Sequence, residues 1–240
     1  MNIIVFASGS GTNFEAIIKA TQNRIIKGFV SLLICNKPDA NCIKIAEEND
    51  IPVLVKPYQK KEQTRDEYYK DILIEIEKYK ADLIVLAGWM LIVTPTFITT
   101  CKDNEINLIN LHPALPGHFP GINAIERAFE AYQNNEIKET GLMVHHVVPE
   151  IDAGKVLCQE IVPIFGNDTI DSFKNRMQYF EKPLLIKAIN TILKQNENII
   201  NMTNIYTGKV SNVYEITHNN QKQPYLAIYH TDRLSAFNRN

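Results

Sequence analysis

The chain carries Asn110-Leu111-His112-Pro113 and, further on, Asp152 within Pro149-Glu150-Ile151-Asp152-Ala153-Gly154. An amide, an imidazole and a carboxylate occur here with no serine or cysteine beside them to serve as a nucleophile. On a strand, Asn110 and His112 point to one face and Leu111 to the other. Pro113 cannot donate to a sheet ladder, so the strand ends there and holds the pair at its carboxyl edge. An amide that donates to an oxyanion, an imidazole that carries a proton and a carboxylate that favours imidazolium together suit direct acyl transfer. The tripeptide alone also fits a buried strand-end asparagine and a satisfied core histidine. The surrounding elements must decide.

Those elements alternate. Ile3 to Ala7 is a continuous apolar run, as a parallel strand buried on both faces requires. Ser8-Gly9-Ser10-Gly11-Thr12-Asn13 leads from it into a helical stretch, Phe14 to Thr21. Phe29 to Cys35 reads as a strand, Asn41 to Asn49 as a helix and Pro52 to Val55 as a short strand. Tyr69, Ile72, Leu73, Ile76 and Tyr79 recur at helical spacing within Arg65 to Tyr79. Leu83 to Ala87 and Ile106 to Leu111 follow as buried strands. This is the pattern of an α/β fold, an open, mostly parallel twisted sheet with helices on both faces. Ligands in such sheets lie beyond the carboxyl ends of the strands, where the motifs fall.

Glycines 9 and 11 let the first loop turn tightly, and the following helix start offers free N–H groups to an anion. The loop lacks the third glycine of a dinucleotide fingerprint and the lysine of a P-loop, so a phosphate monoester is the better fit. A plain strand-to-helix turn capped by Thr12 or Asn13 is the competing reading. Ala114 to Gly121 is too rich in proline and glycine for a helix and connects to an amphipathic helix, Ile122 to Gln133. Gly141 to Val148 reads as a strand with His145 and His146 on opposite faces, one of them core or edge rather than catalytic. No third ligand stands at a spacing that would make them a metal site. Lys155 to Val162 is a further strand, and Thr169 caps a long helix, Ile170 to Leu193, interrupted at Pro183.

Composition narrows the class. The 240 residues are 45% hydrophobic and 22% charged, as in an ordinary globular protein. A net charge of -2 gives no nucleic-acid footprint. No apolar run reaches the roughly 20 residues of a membrane span. The start, Met1 to Phe6, enters a strand directly and lacks a signal peptide's charged region and cleavage site, which places the chain in the cytoplasm. Cys35, Cys42, Cys101 and Cys158 are scattered and read as free thiols.

Taken together, Ser8 to Asn13, Leu86-Ala87-Gly88-Trp89-Met90, Asn110 to Pro113 and Glu150 to Gly154 resemble, in order and spacing, the phosphoribosylglycinamide formyltransferases over residues 1–200. The Asn, His and Asp set also occurs in methionyl-tRNA formyltransferases and formyltetrahydrofolate hydrolases; the glycine loop selects the first family. The resemblance implies a Rossmann-like formyltransferase domain over 1–198. It would move a formyl group from 10-formyltetrahydrofolate to the amine of 5-phosphoribosylglycinamide in purine biosynthesis, without a metal. Asn110, His112 and Asp152 would be catalytic. Gly11, Thr12 and Asn13 would hold the substrate phosphate, and Gln178 to Glu181 would meet its ribose. Arg65 matches a folate-contacting arginine. Met90, Leu91, Ile92 and Val93, with Val148, Pro149, Glu150, Ile151 and Asp152, match the pterin-lining segments, which Asn110 adjoins. Two departures stand out. Leu91 replaces a residue that is often basic, leaving a backbone contact, and the proline loop is reordered as Ala114-Leu115-Pro116-Gly117.

The composition changes after Asn196. Gly208-Lys209-Val210 and Asp232-Arg233-Leu234-Ser235-Ala236-Phe237 resemble the opening strands of a SAICAR synthetase, which implies a truncated, β-rich segment over 199–240 and a possible fusion. A native carboxyl-terminal hairpin is the alternative. Two other function classes stay in view. A folate hydrolase would need a water site instead of a phosphate site and usually carries an amino-terminal regulatory domain, whereas this chain begins at the catalytic domain. A non-catalytic nucleotide-binding module would use the glycine loop alone.

Overall fold

Alternate residues of the first strand divide between two cores. In the computed structural model, which describes residues 1–206, β1 (Asn2–Ala7) sends Ile3, Val5 and Ala7 into one buried cluster and Ile4 and Phe6 into the other. A strand covered on both faces must be apolar at every position, and this is the unbroken run seen in the sequence. Beside it lie β2 (Phe29–Cys35), β3 (Val53–Val55), β4 (Leu83–Leu86), β5 (Asn107–His112), β6 (Thr140–His146) and β7 (Val156–Val162). Their order is β3-β2-β1-β4-β5-β6-β7. β1 to β5 pair in parallel, whereas β6 and β7 join antiparallel. The sheet is therefore mostly parallel, as expected.

The larger core takes α1 (Thr12–Gln22), α2 (Asn41–Glu48), α5 (Ala124–Gln133) and the first part of α6 (Ile170–Tyr206). The smaller one takes α3 (Arg65–Glu77) and α4 (Pro95–Asp103). Chain order reverses between β1 and β4, so the crevice beyond their carboxyl ends is the switch point where such sheets bind ligands. Residues 1–193 form one compact unit.

Three helices differ from the sequence expectation. α4 was not foreseen, although Thr94-Pro95 is a helix-start signature: Pro95 opens the helix and Thr94 Oγ1 accepts from the Phe97 N–H at 3.4 Å. α5 begins at Ala124, not Ile122, because Asn123 takes a left-handed conformation (φ 56°). α6 runs through Pro183 without interruption. Burial of Leu184, Leu185, Ala188, Ile189 and Ile192 offsets the roughly 3 kcal/mol that an interior proline costs. Thr169 caps this helix as expected, its Oγ1 accepting from the Ser172 N–H at 3.1 Å. Ile199 to Tyr206 is helical, so it supplies no edge strand. The segment from 207 onward, with both ligase-like motifs, lies outside the described residues.

The capping box of α3 gives a simple stability prediction. Thr64 Oγ1 accepts from the Glu67 N–H at 3.2 Å, and the Glu67 carboxylate accepts from the Thr64 N–H at 2.8 Å. Thr64→Ala removes the first of these and is expected to cost about 1 kcal/mol in a urea melt, with an unchanged slope.

Candidate active site

β5 stops at His112, directly before Pro113, and its Asn110 and His112 both face a cavity of about 300 Å³. Asp152 reaches the pair from the loop after β6. Its Oδ1 accepts from Asn110 Nδ2 at 3.1 Å and its Oδ2 lies 3.3 Å from His112 Nδ1. The three expected groups are thus one connected cluster. Asp152 itself sits in the left-handed region (φ 52°), and two features hold that turn. The Gly121 N–H donates to Oδ2 at 2.8 Å. A Cβ on Gly154 would run into the His146 carbonyl, so only glycine fits there.

A fourth side chain belongs to the cluster. His145 is the antiparallel partner of Asn110 across β5 and β6, and so points to the same face. Its Nε2 lies 3.3 Å from Asn110 Nδ2 and 3.5 Å from Asp152 Oδ1, while Nδ1 faces the His146 carbonyl at 2.9 Å. The sequence offered His145 and His146 as a pair on opposite faces; the register singles out His145.

His112 is buried, and its Nε2 lies 3.1 Å from the Phe119 carbonyl. Burial depresses its pKa and outweighs the upward pull of Asp152; His145 depresses it further, and the Phe119 and His118 carbonyls oppose. Asp152 does pull the imidazole upward, as expected, but the net direction is down because desolvation is the larger effect. Burial works to raise the Asp152 carboxyl, yet His145, the Gly121 N–H and His112 together hold it below the usual carboxylate value.

The neighbouring His146 is also depressed, first by burial, then by Lys155 and His145. A histidine harder to protonate folded than unfolded contributes fully above its ordinary value of 6.5, and that contribution is lost as pH falls below it. The carboxyl of Glu181, raised by burial, acts in the opposite sense, so a variant comparison is the clean test. Melting temperatures of His146→Gln and the parent, followed by circular dichroism, are expected to separate in the variant's favour as pH falls from about 7 to 5.

Met90 to Val93 and Val148 to Asp152 line the same cavity, as does Asn13. The first of these segments is held from behind. Trp89 Nε1 donates to the Tyr69 hydroxyl at 2.8 Å, which donates to the Leu91 carbonyl at 3.0 Å. Helical periodicity marks Tyr69 only as part of an apolar stripe, and its hydroxyl contacts come from the tertiary fold. Asn13 Nδ2 donates to Glu181 Oε2 at 2.7 Å, joining the first loop to α6 at the cavity wall. Gly11 is the left-handed N-cap of α1 (φ 78°), with no side-chain cap, so neither Thr12 nor Asn13 serves as one.

Not every expected residue reaches the cavity. Gly11 and Thr12 open the same helix as Asn13 but do not line it. Gln178 and Arg65 are exposed outside it, although the Arg65 charge is felt at the Tyr69 hydroxyl. Among the described residues, no group of three or more His, Cys, Asp or Glu could hold a metal ion, and no helix is long and apolar enough to cross a membrane. All four cysteines are free and buried.

A switch-point crevice that presents an amide, an imidazole and a carboxylate is an arrangement suited to group transfer. Residues 1–189 match the family model described as formyl transferase. The phosphoribosylglycinamide formyltransferase of Dictyostelium discoideum is 40% identical over 200 residues, covering 80% of this chain and 97% of that one. The crystal structure of the Bacillus halodurans phosphoribosylglycinamide formyltransferase superposes with a TM-score of 0.76 at 32% identity, covering 82% and 98% of the two chains. A trifunctional purine biosynthetic protein of Chironomus tentans is 34% identical over 190 residues, which make up 13% of its own length. The chain belongs to the phosphoribosylglycinamide formyltransferases of purine biosynthesis.

Proposed function

We propose that the cavity receives 10-formyltetrahydrofolate beside 5-phosphoribosylglycinamide and that Asn110, His112 and Asp152 carry the transfer between them. The observation that carries this reading is their cluster, closed at 3.1 and 3.3 Å on one wall of the cavity that Asn13 and Glu181 also line. The substrate amine attacks the formyl carbon directly. Asn110 Nδ2 has two hydrogens, one held by Asp152 and the other facing His145 Nε2 at 3.3 Å, and the oxyanion takes over one of them as the stronger acceptor. His112 in its charged form adds to that stabilisation when the oxyanion replaces the Phe119 carbonyl at Nε2. The amine loses a proton to water organised by Asp152, and the departing folate nitrogen gains one from His112 as the carbon–nitrogen bond breaks.

The pterin rests between Met90 to Val93 and Val148 to Asp152, with Leu91 contributing its backbone. Arg65 meets the part of the folate that extends past the Tyr69–Leu91 contact. The uncapped start of α1, at Gly11, Thr12 and Asn13, offers N–H groups to the phosphate. Glu181 and Gln178 accept and donate to ribose hydroxyls. Formyl transfer measured with and without glycinamide ribonucleotide tests the reading. Folate consumed without the nucleotide would indicate a hydrolase, and no consumption in either case a binding module.

The sequence boundary at Asn198 falls inside α6, which continues to Tyr206, so the segment that opens a second, SAICAR-synthetase-like domain and adds no group to formyl transfer begins after that helix. The Chironomus tentans relative, far longer than this chain and trifunctional by name, supports fusion as an arrangement available to the family. A chain cut after Asn198 keeps its transfer rate if this is so; loss of activity with the far-ultraviolet spectrum intact would make the tail part of the enzyme.

A further inference from the structure

The turn before α5 holds both partners of the active-site imidazole, and one arginine holds the turn. Phe119 places its carbonyl 3.1 Å from His112 Nε2, and Gly121 donates its N–H to Asp152 at 2.8 Å. Phe119 sits in the left-handed region (φ 45°), between Gly117 (φ 79°) and Gly121 (φ 82°). For a bulky residue that conformation is unfavourable and must be imposed from outside. Arg127, in the first turn of α5, supplies the constraint. Its Nη2 donates to the Phe119 carbonyl at 2.7 Å and to the Pro120 carbonyl at 2.6 Å, and the guanidinium lies 5.8 Å from the centre of the Phe119 ring. The Nε atom is buried and has no partner among the described residues, so the side chain's polar contacts converge on this turn.

We infer that Arg127 is a positioning residue: it clamps the Phe119–Gly121 turn and thereby fixes the His112–Asp152 pair from both sides. It is not among the residues lining the cavity and acts through the backbone of the turn. The inference rests on the proposed roles of His112 and Asp152. Because the turn gives the cavity wall only Gly121 and otherwise sets the geometry of the pair, its loss falls mainly on turnover. Misplacement of reacting groups by about 1 Å costs on the order of 100-fold.

Arg127→Ala is expected to lower kcat roughly 10- to 100-fold while both KM values stay within about twofold. Arg127→Lys should recover part of the loss, since an ammonium reaches one carbonyl but cannot fork to both. A second readout needs no turnover. In protein labelled with ¹⁵N-histidine, the imidazole N–H resonance that disappears in His112→Ala should be sharp in the parent, lost in Arg127→Ala and retained in Arg127→Lys. An unchanged kcat with an unchanged resonance in Arg127→Ala overturns the inference. So does a joint rise of both KM values with no recovery by lysine, which would mark a general structural loss. The parent's transfer rate tests the reaction separately, and the resonance tests the clamp whatever that rate is.

Discussion

Asn110→Ala is expected to turn over ~10²–10³ more slowly than the parent enzyme, the usual loss on removing one oxyanion donor. The substitution deletes the amide N–H donor that β5 directs at the cavity, and it also removes a hydrogen bond from Asp152 Oδ1. His112→Ala should fall at least as far. Its charge is what the carboxylate and the Phe119 carbonyl are arranged to favour, even though burial opposes it. Folate binding, followed by fluorescence titration, should change little in either variant, because the Met90 to Val93 and Val148 to Pro149 walls remain. The mechanism fails if either variant retains near-normal turnover.

Gly11→Val should disturb the fold before it disturbs any ligand. The sequence reading, in which Gly11 lets the backbone approach a phosphate, predicts a raised substrate KM with folate affinity intact. The structure gives a different reason. A Cβ at Gly11 would lie 2.8 Å from Cys42 Cα and 2.9 Å from both Cys42 Cβ and Ile45 Cδ1, against the backbone of α2. The left-handed φ of 78° adds a cost of about 1–2 kcal/mol for any other residue. With overpacking worth about 1–3 kcal/mol, the total corresponds to a melting temperature lower by roughly 10 °C. Binding of both ligands should weaken together. A parent-like melting temperature with only the nucleotide KM raised would restore the first explanation.

Local chemistry was legible in the sequence. The apolar run of β1 announces a strand covered on both faces because each of its side chains must leave water on one side or the other. Pro113 ends β5 because it has no N–H to give, and that alone puts Asn110 and His112 on one face at the carboxyl edge. Motif order then carried the family, and with it Asp152. Even here a local signal went unread: Thr94-Pro95 marks the start of α4 as plainly as Thr169 marks that of α6. Other features depend on residues distant in sequence. His145 joins the site because β6 runs antiparallel to β5 with His145 opposite Asn110, and a shift of one residue would have presented His146 instead. Pro183 stays within α6 because the core contacts beyond it outweigh the lost hydrogen bond. The pKa of His112 falls, though a carboxylate stands beside it, because desolvation depends on everything packed around the ring. Residue types and spacing named the candidate groups for the chemistry; strand register, burial and the backbone of a distant turn decided how those groups are held, since each is set by contacts between segments that the sequence keeps apart.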